Sequence, residues 1–257
     1  MAKPIEEFST RLDELKSDLN FVRTAAKLRP RIGHVMNYQA EAEALKLATD
    51  FMSEKRSRPE GLIAALFVRV IAAFERYLRK LVETGVENIN NSAATYDGLS
   101  SAIKSRNLAF TGRIISAIDN PKDYLILNYE DLISNLASCR VGAESFRLNA
   151  MAFSAAVIGS TPEAVERALK SIEVEEWWDH VGADKGLQTM LGTRKPRDTA
   201  NRAQEKLKEL TRWRNQVAHG GDEEVSLTED QLERVIDFLR QFAICLDSEV
   251  AKQLAAS

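Results

Sequence analysis

Apolar residues recur at steps of three and four near the start of the chain, through Ile5, Phe8, Leu12, Leu15, Leu19 and Val22. That spacing marks one face of an amphipathic helix, predicted to run to about residue 28 and to stop before Pro30. A second helix is predicted over 38–54, followed by a linker over 56–60 in which Pro59 suits the first turn of the next helix. That next helix, over 60–87, is long and heavily apolar. Its near-apolar run over 62–74, broken at Arg69, is too short to span a bilayer and reads as the central buried helix.

Polar residues over 88–97 predict a turn, with shorter helices after it at 99–106 and 111–118 and a break at Asn120-Pro121. A helix over 129–138 leads into a less regular stretch over 141–150. Thr161 as cap and Pro162 as first helical residue start a helix to about 172. Glycine and charge mixed over 181–198 predict an exposed crossing. The last two helices, over 199–219 and 228–254, are expected to form a hairpin turned by 220–227. Thr228 with Gln231 three residues on gives the second of them a capping box. No internal repeat, low-complexity tract or strand pattern is visible.

Composition narrows this to an all-α fold. With 12 Gly and 6 Pro in 257 residues, the chain suits long regular elements, and its length can bury a sizeable core. The division expected is an N-terminal helical extension over 1–57 and a main helical domain over 58–257. Cys139 and Cys245 stand far apart with no CxxC, which fits a reducing compartment and offers neither a disulfide framework nor a zinc site. The first residues carry no apolar run of the signal-peptide kind, so a soluble cytoplasmic protein with no membrane partner is expected.

Net charge is −3, which argues against indiscriminate nucleic-acid binding. Within 194–214, however, Arg194, Lys195, Arg197, Arg202, Lys206, Lys208, Arg212 and Arg214 outnumber Asp198, Glu205 and Glu209, a local surplus of five positive charges. Such a segment is either a solvated helix face or a focused phosphate-binding surface.

The basic segment ends in Arg214-Asn215-Gln216-Val217-Ala218-His219-Gly220-Gly221. A fixed cation, an amide and a proton carrier sit within two helical turns, and two glycines then end the helix. The bare Arg-to-His spacing is cheap. Arg29 and His34 repeat it, but Pro30 and Gly33 between them forbid a regular helix, and His34 reads as a loop residue. The added Asn beside Arg214 and the helical setting make the second occurrence more specific.

Arg214-Asn215 through His219-Gly220 at a helix end resembles the signature of HEPN domains. The helix Phe67-Val68-Arg69-Val70-Ile71-Ala72-Ala73-Phe74-Glu75-Arg76-Tyr77-Leu78 resembles the AFExYL helix of the RiboL-PSP-like branch, and the likeness covers about 58–250. The resemblance implies a HEPN-like helical bundle, here with additional N-terminal helices, and commonly a homodimer. Many HEPN proteins are metal-independent ribonucleases of toxin–antitoxin, abortive-infection or CRISPR-linked defence; others have lost catalysis and bind RNA, nucleotide or a partner protein.

Metal-free RNA cleavage uses the 2′-hydroxyl as nucleophile and needs an acid–base group working near neutrality with positive charge on the phosphoryl oxygens. His219 is the candidate proton carrier, and its place in a last helical turn favours the imidazolium form. Arg214 is the candidate for the scissile phosphate, Asn215 for support, and Arg212 and Lys208 for further phosphate contacts. Five residues separate Arg214 from His219, about 140° around a helix, so one subunit need not bring them together. The dimer that the resemblance implies supplies an answer, a cleft shared by two motif helices.

Structural readings stand beside each of these. His219 can bond last-turn carbonyls, Arg214 can pair with Glu75 of the central helix, and Trp213 fits a core position as well as a base-stacking platform. Glu173, Glu175, Glu176, Asp179 and His180 crowd one stretch, but no helical spacing joins three of them cleanly. They read as an acidic surface helix with Trp177 and Trp178 packed inward, so no metal site and no cofactor are expected. The expectation is a metal-independent endoribonuclease, a toxin or defence effector with RNA as substrate and an antitoxin or defence complex as partner. The alternative is a non-catalytic binding module.

Overall fold

The computed structural model describes residues 3–32, 59–117, 128–143, 145–219 and 227–256. The described residues form helices only: α1 Pro4–Ile32, α2 Pro59–Ser92, α3 Ser101–Ile115, α4 Tyr129–Ser138, α5 Ala150–Ala155, α6 Pro162–Ser171, α7 Trp177–Ala183, α8 Lys185–Leu191, α9 Pro196–His219 and α10 Glu229–Ala256. The helix expected over 38–54, the turn over 220–226 and the loop residue His34 lie outside the described residues.

α2 is the central helix, as its apolar run predicts. Phe67, Val70, Ile71, Phe74, Tyr77, Leu78 and Leu81 are all buried at three and four residue steps. α1 lays Phe8, Leu12, Leu15 and Leu19 onto α2 and α10. Phe8 stacks on Tyr77 with ring centroids 5.0 Å apart, and the Tyr77 hydroxyl donates to the Ala243 carbonyl of α10 at 2.8 Å. A charged seam runs along the α1–α10 packing, in which Arg23 of α1 meets Glu229 at 2.9 Å and Glu233 at 3.2 Å.

The structure departs from the sequence reading in several places: α1 runs through Pro30 to Ile32 instead of stopping before it, and α2 continues to Ser92, into the stretch expected as a turn. One helix, α3, spans most of what was expected as two, the expected break at 107–110 being helical with Asn107 buried there and Thr111 buried just after it. Both reach Asn149: its backbone N–H donates to Asn107 Oδ1 at 3.0 Å and its Nδ2 to Thr111 Oγ1 at 3.1 Å. Residues 181–191, expected within an exposed crossing, are largely helical as α7 and α8, with Val181 and Leu187 fully buried. Gly182 permits this, because a Cβ there would collide with the Pro196 carbonyl. Finally, α9 and α10 are not closely paired along their length. α9 packs on α7, α8 and α2, while α10 packs on α1, α2 and α7.

The caps formed as expected. Thr161 Oγ1 accepts from the Ala164 amide at 3.2 Å, and Thr228 and Gln231 exchange bonds of 2.8 and 3.2 Å. Among the described residues no helix is long and apolar enough to cross a membrane.

Candidate functional site

α9 is amphipathic over its whole length. Ala203, Leu207 and Leu210 form the buried stripe, and Trp213 and Val217 continue packing toward the core. Trp213 meets Phe67 edge-on with centroids 6.2 Å apart, and the Lys206 ammonium lies 5.0 Å above its ring. Trp213 is therefore a core residue with a cation on its outer face, and no open stacking platform.

Helical register divides the candidate residues between two faces. Arg214 follows Leu207 by seven residues and Leu210 by four, so it continues the inward stripe to its exposed end. Lys208, Arg212 and Asn215 fall at steps of four and three on a separate, exposed stripe, and the backbone of His219 closes α9 at the next step of four. The side chain of His219 and all of Gly220 and Gly221 lie outside the described residues.

The inward position of Arg214 gives it a partner. Its Nη2 lies 3.9 Å from Glu75 Oε2 on α2, and its Nη1 donates to Asn215 Oδ1 at 3.1 Å. Glu75 in turn accepts from the Ser160 hydroxyl at 3.4 Å, just before the α6 cap. The side chain of Glu75 is 17% exposed and that of Arg214 39%, so the carboxylate is largely covered while the guanidinium still reaches solvent. The ion pair with Glu75 weighed for Arg214 is the one observed, and Asn215 links the two stripes of α9.

Lys208 turns instead toward α6, with Nζ 3.5 Å from Glu163 Oε1. The Glu163 carboxyl is held below its ordinary range by its own first-turn amide and the Thr161 hydroxyl, with Lys208 adding to the effect. Arg212 lines a groove between α9 and α10 with Arg202, Lys206 and Arg234. Arg234 lies outside the basic segment, and only the placement of α10 across the groove from α9 brings it there. Ser160 was likewise invisible as a site neighbour, because a lone serine before a helix cap carries no distinctive signal.

The acidic stretch before α7 has a structural explanation. Trp177 is buried and lies 3.9 Å from Trp178 centroid to centroid, while His180 Nδ1 sits 3.2 Å from Glu249 Oε2. Among the described residues no group of three His, Cys, Asp or Glu side chains converges as a metal ion requires.

In comparison with known proteins, the profile of the RiboL-PSP-HEPN family matches residues 36–252. No curated protein and no solved structure matches the chain.

Proposed function

This chain belongs to the RiboL-PSP-HEPN family, and from that premise we propose that it is a metal-independent endoribonuclease whose site is the C-terminal end of α9. The observation that carries the reading is the Arg214–Asn215 contact at 3.1 Å, held at the end of a helix that His219 closes. Arg214 has five N–H donors and needs few of them for Glu75 and Asn215, so others remain for phosphate oxygens.

In the proposed reaction the substrate's 2′-oxygen bonds to phosphorus and the P–O5′ bond breaks. The products are a 2′,3′-cyclic phosphate and a free 5′-hydroxyl. Arg214 binds the non-bridging oxygens as negative charge grows on them, His219 transfers the proton, and Asn215 fixes the Arg214 fork. Arg212 and Lys208 meet neighbouring phosphates. Because Arg214 and His219 lie about 140° apart in register, two copies placing their α9 ends together complete the site, and the homodimer is part of the mechanism. A role as a toxin or defence effector in the cytoplasm, restrained by an antitoxin or a defence complex, follows from the same family reading.

The decisive experiment is incubation of total cellular RNA with purified wild type and His219→Ala, both in EDTA. Cleavage by the wild type alone supports the assignment. Arg214→Ala and His219→Ala are each expected to slow cleavage about 100-fold, and near-wild-type cutting by either removes that residue from the mechanism. A second reading, a non-catalytic RNA- or partner-binding module, is favoured by Glu75 already occupying one edge of Arg214. It predicts binding without cleavage.

A further inference from the structure

The groove between α8, α9 and α10 measures about 820 Å³ and is lined by four basic and three acidic side chains. Two of the acids are already engaged: Glu209 holds Lys206 at 2.7 Å, and Asp237 holds Lys16 of α1 at 3.2 Å. Arg202 gives one nitrogen to the Leu191 carbonyl at 2.7 Å. Arg212 and Arg234 have no ion-pair partner among the described residues. Positive charge therefore remains in excess inside the groove, although the chain as a whole is acidic. The lining also includes Leu191 and the half-exposed Met190, which give it an apolar side.

We infer that this groove holds the single-stranded RNA segment leading away from the cleavage site, with phosphates on Arg202, Arg212 and Arg234 and a base lying on Met190 and Leu191. The inference rests on the reading of the α9 end as an RNA site. Continuity supports it, because Arg212 belongs both to the groove and to the exposed stripe that leads through Asn215 to His219. From Arg202 to Arg212 the helix advances about 15 Å, a track for a few nucleotides. A concave slot combining guanidinium groups with apolar surface suits unpaired bases, whereas duplex RNA is gripped across its outer minor-groove surface.

The groove between α1 and α2, of about 920 Å³, provides a contrast. There Arg69 is committed to Asp18 at 3.0 Å, Arg76 to Glu7 at 3.4 Å and Lys80 to Glu83 at 3.0 Å. Size alone does not select the α9–α10 groove; the uncommitted guanidinium groups do.

The test is fluorescence anisotropy of a labelled single-stranded oligoribonucleotide in the His219→Ala background, where the probe stays intact, across a series of KCl concentrations. Arg234→Gln is the decisive variant, because Arg234 has no bond among the described residues whose loss would disturb the fold. It is expected to weaken binding about five-fold and to reduce the salt slope by about 0.7, the loss of one single-strand phosphate contact. Arg202→Gln should act in the same direction. Unchanged affinity and slope for Arg234→Gln would overturn the inference, and so would absence of binding by the unsubstituted groove. A polyglutamate peptide that binds in dependence on Arg234 while RNA does not would assign the groove to an acidic protein instead. Parallel cleavage assays separate the two readings. If the wild type does not cut but binds RNA through Arg234, the proposed reaction falls and the groove stands. If it cuts and Arg234→Gln binds normally, the groove alone falls.

Discussion

Glu75 on α2 and Arg214 on α9 face each other at 3.9 Å, each tethered a second time, Glu75 by Ser160 at 3.4 Å and Arg214 by Asn215 at 3.1 Å. The contact joins the AFExYL-like helix to the Arg-Asn-x-x-x-His helix, so the two stretches that carry the family likeness meet at one charge pair. A partly exposed pair of that length stabilises the fold by no more than about 1 kcal/mol. Its larger effect is directional, since Glu75 and Asn215 together limit the rotamers of the guanidinium, which in the proposed reaction binds phosphate.

A double-mutant cycle with Glu75→Gln and Arg214→Gln separates these roles. The coupling in unfolding free energy is expected to stay below about 1 kcal/mol. In cleavage, Glu75→Gln should slow turnover about ten-fold, less than loss of Arg214 itself, and should leave the pH profile unchanged because Glu75 carries no proton in the reaction. A large stability coupling with no change in cleavage would make the pair purely structural.

The buried amide of Asn149 should be among the costliest polar positions to replace. Its Nδ2 donates to Thr111 Oγ1 at 3.1 Å and to the Leu132 carbonyl at 2.9 Å, and its Oδ1 accepts from Asn135 at 2.9 Å. Asn149→Ala leaves these groups unpaired and is expected to cost about 3 kcal/mol in urea denaturation. A loss under about 1 kcal/mol would mean that water takes over the network.

That network also shows where sequence reading falls short. The central helix, the apolar face of α1 and both helix starts at Thr161 and Thr228 were legible, because apolar period and cap chemistry are local signals, whereas the stop expected before Pro30 did not occur. A break was expected at 107–110, since a buried polar side chain such as Asn107 is explained only by its partner about forty residues away. At the site, the ends of the motif were legible and so was Glu75 as a possible partner for Arg214. The groove was not, because Arg212 and Arg234 come together through tertiary packing alone.

Glu176 offers a stabilising substitution. It precedes α7 with φ 54, a left-handed conformation that costs a non-glycine residue energy through its Cβ. Glu176→Gly should raise stability by about 0.5–1 kcal/mol after allowing for glycine's greater freedom when unfolded. Glu173, at φ 61, is less suitable because it also accepts from the Ser100 hydroxyl. A melting temperature unchanged or lowered by Glu176→Gly would show that the strain is relieved in another way.

Alkaline pH should destabilise the protein in two stages. Burial pushes the Cys245 thiol up from 9.0 to about 12, and burial holds the Tyr77 hydroxyl well above its ordinary 10.0. Both groups keep their protons when folded and lose them more readily when unfolded, so the unfolded chain binds fewer protons and stability falls as pH rises. The decline should begin near pH 9, where an unfolded cysteine ionises, and approach about 1.4 kcal/mol per pH unit for each group past its unfolded value. It should therefore steepen above pH 10 as Tyr77 joins. Chemical denaturation across pH 8–11 measures this. Cys245→Ala should shrink the earlier stage to the share of Cys139, whose thiol burial also raises, and leave the later one; a decline of the same shape in that variant would place the effect on other groups.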